Sequence, residues 1–65
     1  MSKTEDLIRQ NRELFELVAK LARDKMSTDP WPAYEWGKSI IDIVADGDPE
    51  VYCYGINRLV EVMDI

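Results

Sequence analysis

The chain has no histidine, and its 65 residues include a single cysteine, Cys53. Without histidine, and with no plausible base beside the one thiol, neither the usual nucleophilic triads nor zinc sites of the His/Cys type can be assembled. One cysteine forms no internal disulfide, so a reducing compartment is the natural home and Cys53 reads as a small buried hydrophobe. The three glycines, Gly37, Gly47 and Gly55, stand apart from one another. No glycine-rich loop is present to cradle a phosphate, and no cofactor is implied. Carboxylates alone can do acid–base work only in a pocket that separates their pKa values, and a domain this small has little room for one. No apolar run approaches the roughly 20 residues that span a bilayer. The start, Met1-Ser2-Lys3-Thr4-Glu5-Asp6, lacks the apolar segment of a signal peptide. These absences predict a soluble, cytoplasmic chain that is not an enzyme and does not enter a membrane.

Basic residues are also scarce, but only in one half. Residues 1–32 carry six acids and six bases. Residues 33–65 carry Glu35, Asp42, Asp46, Asp48, Glu50, Glu61 and Asp64 against only Lys38 and Arg58. The whole net charge of -5 therefore falls in the second half. A phosphate backbone is held by clustered Lys and Arg, so direct nucleic-acid binding is not expected of that half.

What is present is helical patterning. The apolar fraction of 46% is that of a globular protein, and the length suits one domain, 1–65, near the lower limit for independent folding. Leu7, Ile8, Leu14, Phe15, Val18, Leu21, Ala22 and Met26 recur at three- and four-residue spacing, which predicts a first helix over about 4–26. Ser2, three residues before Glu5, has the spacing of a capping box, with Thr4 as the competing cap. Opposite the stripe, Glu5-Arg9-Glu13 and Arg12-Glu16-Lys20-Asp24 form ladders of four-residue steps. Asn11 interrupts the stripe, either as a register-setting polar residue in a helix seam or as a partly exposed residue at a frayed end. Leu17 points away from it.

Ser27-Thr28-Asp29-Pro30-Trp31-Pro32 breaks the pattern and feeds a second helix, about 32–46, capped by Asp29 or Thr28. Trp31 is expected to fold back over the core as a plug; an interface anchor is the other reading. Ala33, Trp36, Ile40, Ile43 and Val44 give the second stripe, with Glu35, Asp42 and Asp46 on the outward side. Gly37 sits against helix propensity and suggests close approach of another helix. Asp48-Pro49-Glu50 then starts a third helix, about 49–64, as N-cap, first-position proline and first-turn acid. Tyr52, Ile56, Leu59 and Met63 form its stripe, widened by Cys53, Val60 and Val62. Val51, Tyr54, Arg58, Glu61 and Asp64 lie on the other side, with Tyr54 the best-placed exposed aromatic and Arg58 within stacking reach of it. Three amphipathic helices with short connections predict an all-α, compact three-helix bundle, mostly antiparallel.

The corner Asp46-Gly47-Asp48 has the look of a calcium-loop fragment. A full loop spreads its ligands over about twelve residues and ends on a glutamate, which does not follow here, so capping is the better account and no metal is expected. The remaining anomaly is that Asp42, Asp46, Glu61 and Asp64 crowd helix C-termini, against the helix dipole. One explanation is a solvated face that maintains solubility. The other is function: Glu35, Asp42, Asp46, Asp48, Glu50, Tyr54, Glu61 and Asp64 as a surface that docks on a basic protein partner. In size and acidity the chain resembles the small acidic inhibitors encoded by phages, anti-CRISPR proteins among them; the resemblance is one of class and rests on no motif. It implies a bacterial host cytoplasm and a nucleic-acid-binding effector, for example a CRISPR surveillance complex, whose DNA-binding surface is occupied by mimicry. The second reading is a structural or regulatory module that dimerises through its first helix.

Overall fold

The computed structural model describes residues 3–65. The capping-box position Ser2 lies outside the described residues. Three helices account for the fold: α1 (Lys3–Lys25), α2 (Trp31–Ala45) and α3 (Pro49–Met63). All three pack against one another as a three-helix bundle. Thr4 meets Asp48 at one end, Glu16 meets Arg58 midway, and Arg23 reaches Val62 at the other end, so α1 and α3 run parallel. The helix between them, α2, runs against both.

Each start and stop has a local cause. Thr4 is no cap: it lies inside α1, where acidic Glu5 and Asp6 in the first turn and Arg23 and Lys25 in the last complement the helix dipole. At α2 neither Asp29 nor Thr28 is the N-cap: Pro30 takes that position without a side-chain cap, the Asp29 carboxylate accepts the Trp31 N–H at 3.1 Å from just outside the helix, and Pro32 occupies a position whose N–H needs no helical acceptor. Asp48 caps α3, its Oδ1 accepting the N–H groups of Glu50 and Val51 at 3.0 and 3.3 Å. Both α2 and α3 end on an aspartate in the left-handed conformation, Asp46 (φ 49°) and Asp64 (φ 61°). Aspartate tolerates that region better than most side chains.

The core corrects three stripe assignments. On α2 the buried line is Ala33, Gly37, Ile41 and Ala45, and Ile43 is 77% exposed. On α3 it is Val51, Gly55, Leu59 and Met63, with Val51 fully buried and Cys53 exposed. Both lines are rotated by about one residue from the expectation. The physical reason is close approach. A Cβ on Gly37 would stand 2.9 Å from Leu59 Cδ1, and one on Gly55 would stand 2.5 Å from Ile41 Cγ2. Each helix thus inserts a branched side chain into the other's glycine notch, and the larger Trp36, Ile40, Tyr52 and Ile56 flank the seam half-buried. On α1 the inner face is Phe15, Val18, Ala19 and Ala22, which leaves Leu14 and Leu21 outside with Leu17.

Other expectations also change. Trp31 is no plug: it is 61% exposed, edge-on to Tyr34 with ring centroids 5.7 Å apart. Asn11 sets no register, because its Nδ2 donates to the Leu7 carbonyl one turn back at 2.9 Å. Tyr54 is half-buried against the Phe15 ring, centroids 5.7 Å apart, and Arg58 turns to Glu16 and Glu61. Among the described residues, no helix is long and apolar enough to cross a membrane.

Candidate functional site

The bundle sorts the predicted site residues between two ends. Asp42, Asp46, Asp48 and Glu50 gather at the α2–α3 corner, which is also where α1 begins. Glu35 sits near the start of α2 and Glu61 and Asp64 near the end of α3, at the opposite end. The fifteen residues of α3 separate the two groups by about 22 Å. The acids of the second half therefore do not make one compact cluster.

The opposite end is compensated by bases. Arg58 donates from Nη1 to Glu61 at 2.8 Å, and from Nε and Nη2 to the two Glu16 oxygens of α1. This fork ties α3 to α1 through a two-point, charge-assisted contact. Hydrogen bonding to Arg58 comes first in holding the Glu16 carboxyl below its ordinary value, with the charges of Arg58 and Lys20 adding to it against partial desolvation. Arg23 donates to the Val62 carbonyl at 2.7 Å and so meets the dipole-negative end of α3. Lys25 stands 4.9 Å over the Trp36 ring.

The corner is different. Asp48 is absorbed by the fold: the Thr4 hydroxyl donates to its Oδ2 at 2.6 Å while Oδ1 caps α3. The Thr4 hydrogen bond, then the Val51 and Glu50 N–H groups and the charge of Lys3, hold this carboxyl below the usual aspartate range despite partial desolvation. Asp42, Asp46 and Glu50 are exposed around it. Here lies a shallow depression of about 160 Å³ lined by Asp42, Ala45, Gly47, Asp48, Pro49 and Tyr52. The aromatic at the acidic surface is thus Tyr52, not Tyr54. Position could have suggested it, since Tyr52 falls one helical turn after the Asp48 cap and its N–H closes onto the Asp48 carbonyl at 3.0 Å. Hydropathy put it in the core stripe instead.

Chemically the corner offers fixed negative charge, a phenol rim and a rigid helix junction. Among the described residues no group of three or more cysteine and carboxylate side chains is placed to hold a metal ion. No protein-family model, curated protein or solved structure matches the chain.

Proposed function

We propose that this chain is a small binding protein whose α2–α3 corner docks on a basic protein surface of the kind that ordinarily holds nucleic acid. Asp42, Asp46 and Glu50 supply the charge, and Tyr52 supplies an amphipathic contact beside them. The observation that carries this reading is the separation of the acids. Away from the corner Arg58 pairs with Glu16 and Glu61 and Arg23 meets the end of α3, whereas at the corner Asp42 lines a depression and Asp46 and Glu50 are exposed next to its lining residues. Complementary charge of this type gives fast, salt-sensitive association. The target class is a bacterial nucleic-acid-binding effector, a CRISPR surveillance complex being one example, with the chain standing in for DNA as an inhibitor.

The test is capture from nuclease-treated bacterial lysate by wild type and by the triple variant Asp42→Lys/Asp46→Lys/Glu50→Lys, with folding of both checked by circular dichroism. The reading requires a captured nucleic-acid-binding protein that duplex DNA displaces and that the variant fails to hold. Identical partners for the two proteins, or a partner that DNA does not displace, would remove it.

A further inference from the structure

The bundle leaves one apolar line uncovered. Leu14, Leu17 and Leu21 are 37%, 53% and 41% exposed, and their spacing of three and four puts them in one row along α1. Lys25 continues that row one turn later, and its ammonium over the Trp36 ring places the row on the side of α1 that faces α2. The contacts with α3 leave α1 from elsewhere, through Glu16 and Arg23. On α2, the exposed Ile43 follows Trp36 and Ile40 at helical spacing, so the apolar surface continues across the α1–α2 seam. A single exposed leucine needs no explanation, but a continuous row of this kind marks an interaction surface.

The charges beside the row say what covers it. Glu13 and Lys20 are exposed, two turns apart, along its outer margin. Consider two copies of α1 crossing antiparallel about a two-fold axis, with Leu14 of each opposite Leu17 of the other. Leu21 then faces Gln10, and Glu13 faces Lys20 of the second copy, twice over by symmetry. The surface is complementary to itself, as a two-fold contact requires. Parallel pairing has no such match: it directs Lys20 toward Lys25 of the second copy and Glu13 toward the buried Val18.

We propose that the chain self-associates as an antiparallel dimer through Leu14, Leu17 and Leu21 of α1, with Glu13 and Lys20 setting the register. This surface lies on the α1–α2 side and is independent of the acidic corner. Stable interfaces bury about 1,200–2,000 Å² in total. Three partly exposed leucines and one isoleucine per copy expose less than that range, so the dimer is weak, with a Kd well above micromolar.

Sedimentation equilibrium over a wide concentration range tests it. Wild type should show a monomer–dimer equilibrium. Leu17→Glu, at a position 53% exposed and outside the buried core, should leave the helical signal unchanged and weaken the dimer by about 30-fold or more. Glu13→Lys and Lys20→Glu should each weaken it by roughly 3- to 10-fold. An equal mixture of those two variants should recover wild-type affinity, because the mixed pair restores both contacts in the antiparallel register only. A wild type that stays monomeric at millimolar concentration would overturn the proposal. So would a dimer indifferent to Leu17→Glu, or a mixture no tighter than either charge variant alone.

Discussion

Gly55→Ala probes how α2 and α3 meet. The substitution gains helix propensity, worth about 0.8–1 kcal/mol in a helix interior. Against this, the new methyl would stand 2.5 Å from Ile41 Cγ2, 3.2 Å from Ile41 Cγ1 and 3.2 Å from Phe15 Cε1. Both neighbours are 1% exposed core residues. The nearest atom is a branch on the Ile41 Cβ, the stiffest part of a β-branched side chain, so it moves only if χ1 or the helix moves. Overpacking of this kind costs about 1–3 kcal/mol, and the net expectation is destabilisation by about 1–2 kcal/mol. In a domain of this size that lowers Tm by about 5–15 °C. Gly37→Ala is the internal control. Its methyl would meet Leu59 Cδ1 and Cδ2 at 2.9 and 3.0 Å, the free end of an unbranched-Cβ side chain that can rotate away. There the propensity gain offsets the crowding, and Tm should stay within about 4 °C of wild type. Thermal and urea unfolding followed by circular dichroism give both numbers. Pairing Gly55→Ala with Ile41→Leu, which removes the Cβ branch, should recover part of the loss as a positive coupling. A Gly55→Ala protein as stable as wild type, or no coupling with Ile41→Leu, would refute the interlocked-notch account of the seam.

Three further outcomes follow from the polar contacts. The folded-state pKa values of Asp48 and Glu16 are depressed, so the stability they contribute is complete above the unfolded carboxylate values of about 4 and is lost as pH falls through the lower folded values; Asp48→Asn, which still caps but carries no ionisable carboxyl, should flatten that acid limb by lowering the unfolding midpoint at neutral pH while leaving the acid midpoint nearly unchanged. Arg58→Gln should lower Tm more than Glu61→Gln, because Glu16 is held by two donors across helices whereas the Glu61 side chain is 68% exposed and only one turn away; equal losses would contradict the ranking. Asp46→Gly relieves a left-handed φ of 49° and should raise stability by about 1 kcal/mol in urea titrations, so a loss would mean the carboxylate itself holds the corner.

Helix number, order and starts were legible in the sequence because their causes are local. The Asp48-Pro49-Glu50 start needs only neighbouring residues, and so does the break at Pro30. The inner faces of α2 and α3 were not legible because hydropathy weights size, and the seam selects for smallness. Where backbones approach closely, Gly37, Ala45 and Gly55 lie inside while Ile43 is pushed outward and Tyr52 is left half-buried at the edge. The same error concealed the site's aromatic. Tyr52 and Tyr54 are both half-buried, but Tyr52 borders the depression whereas Tyr54 gained a ring neighbour in Phe15 that lies 39 positions away in sequence. Contacts such as Thr4 with Asp48 and Glu16 with Arg58 join residues more than 40 positions apart, and no spacing rule reaches that far.

The acids at helix C-termini can now be divided by cause. Asp46 and Asp64 hold left-handed caps, a local role that glycine or asparagine fills without a carboxylate. Glu61 has Arg58. Asp42 alone of the four sits in the last turn of a helix with neither a cap geometry nor an ion pair among the described residues, and it does so on the wall of the depression beside Tyr52. A carboxylate there opposes the dipole of α2 at about 0.3–1 kcal/mol and gains no visible contact in return. Asp42→Asn should therefore stabilise the fold by up to about that amount. If the same change weakens partner binding while Asp46→Asn does not, Asp42 is the residue at which stability has been given up for recognition. If Asp42→Asn stabilises and binding is untouched, the acidic corner is a solvated surface and nothing more.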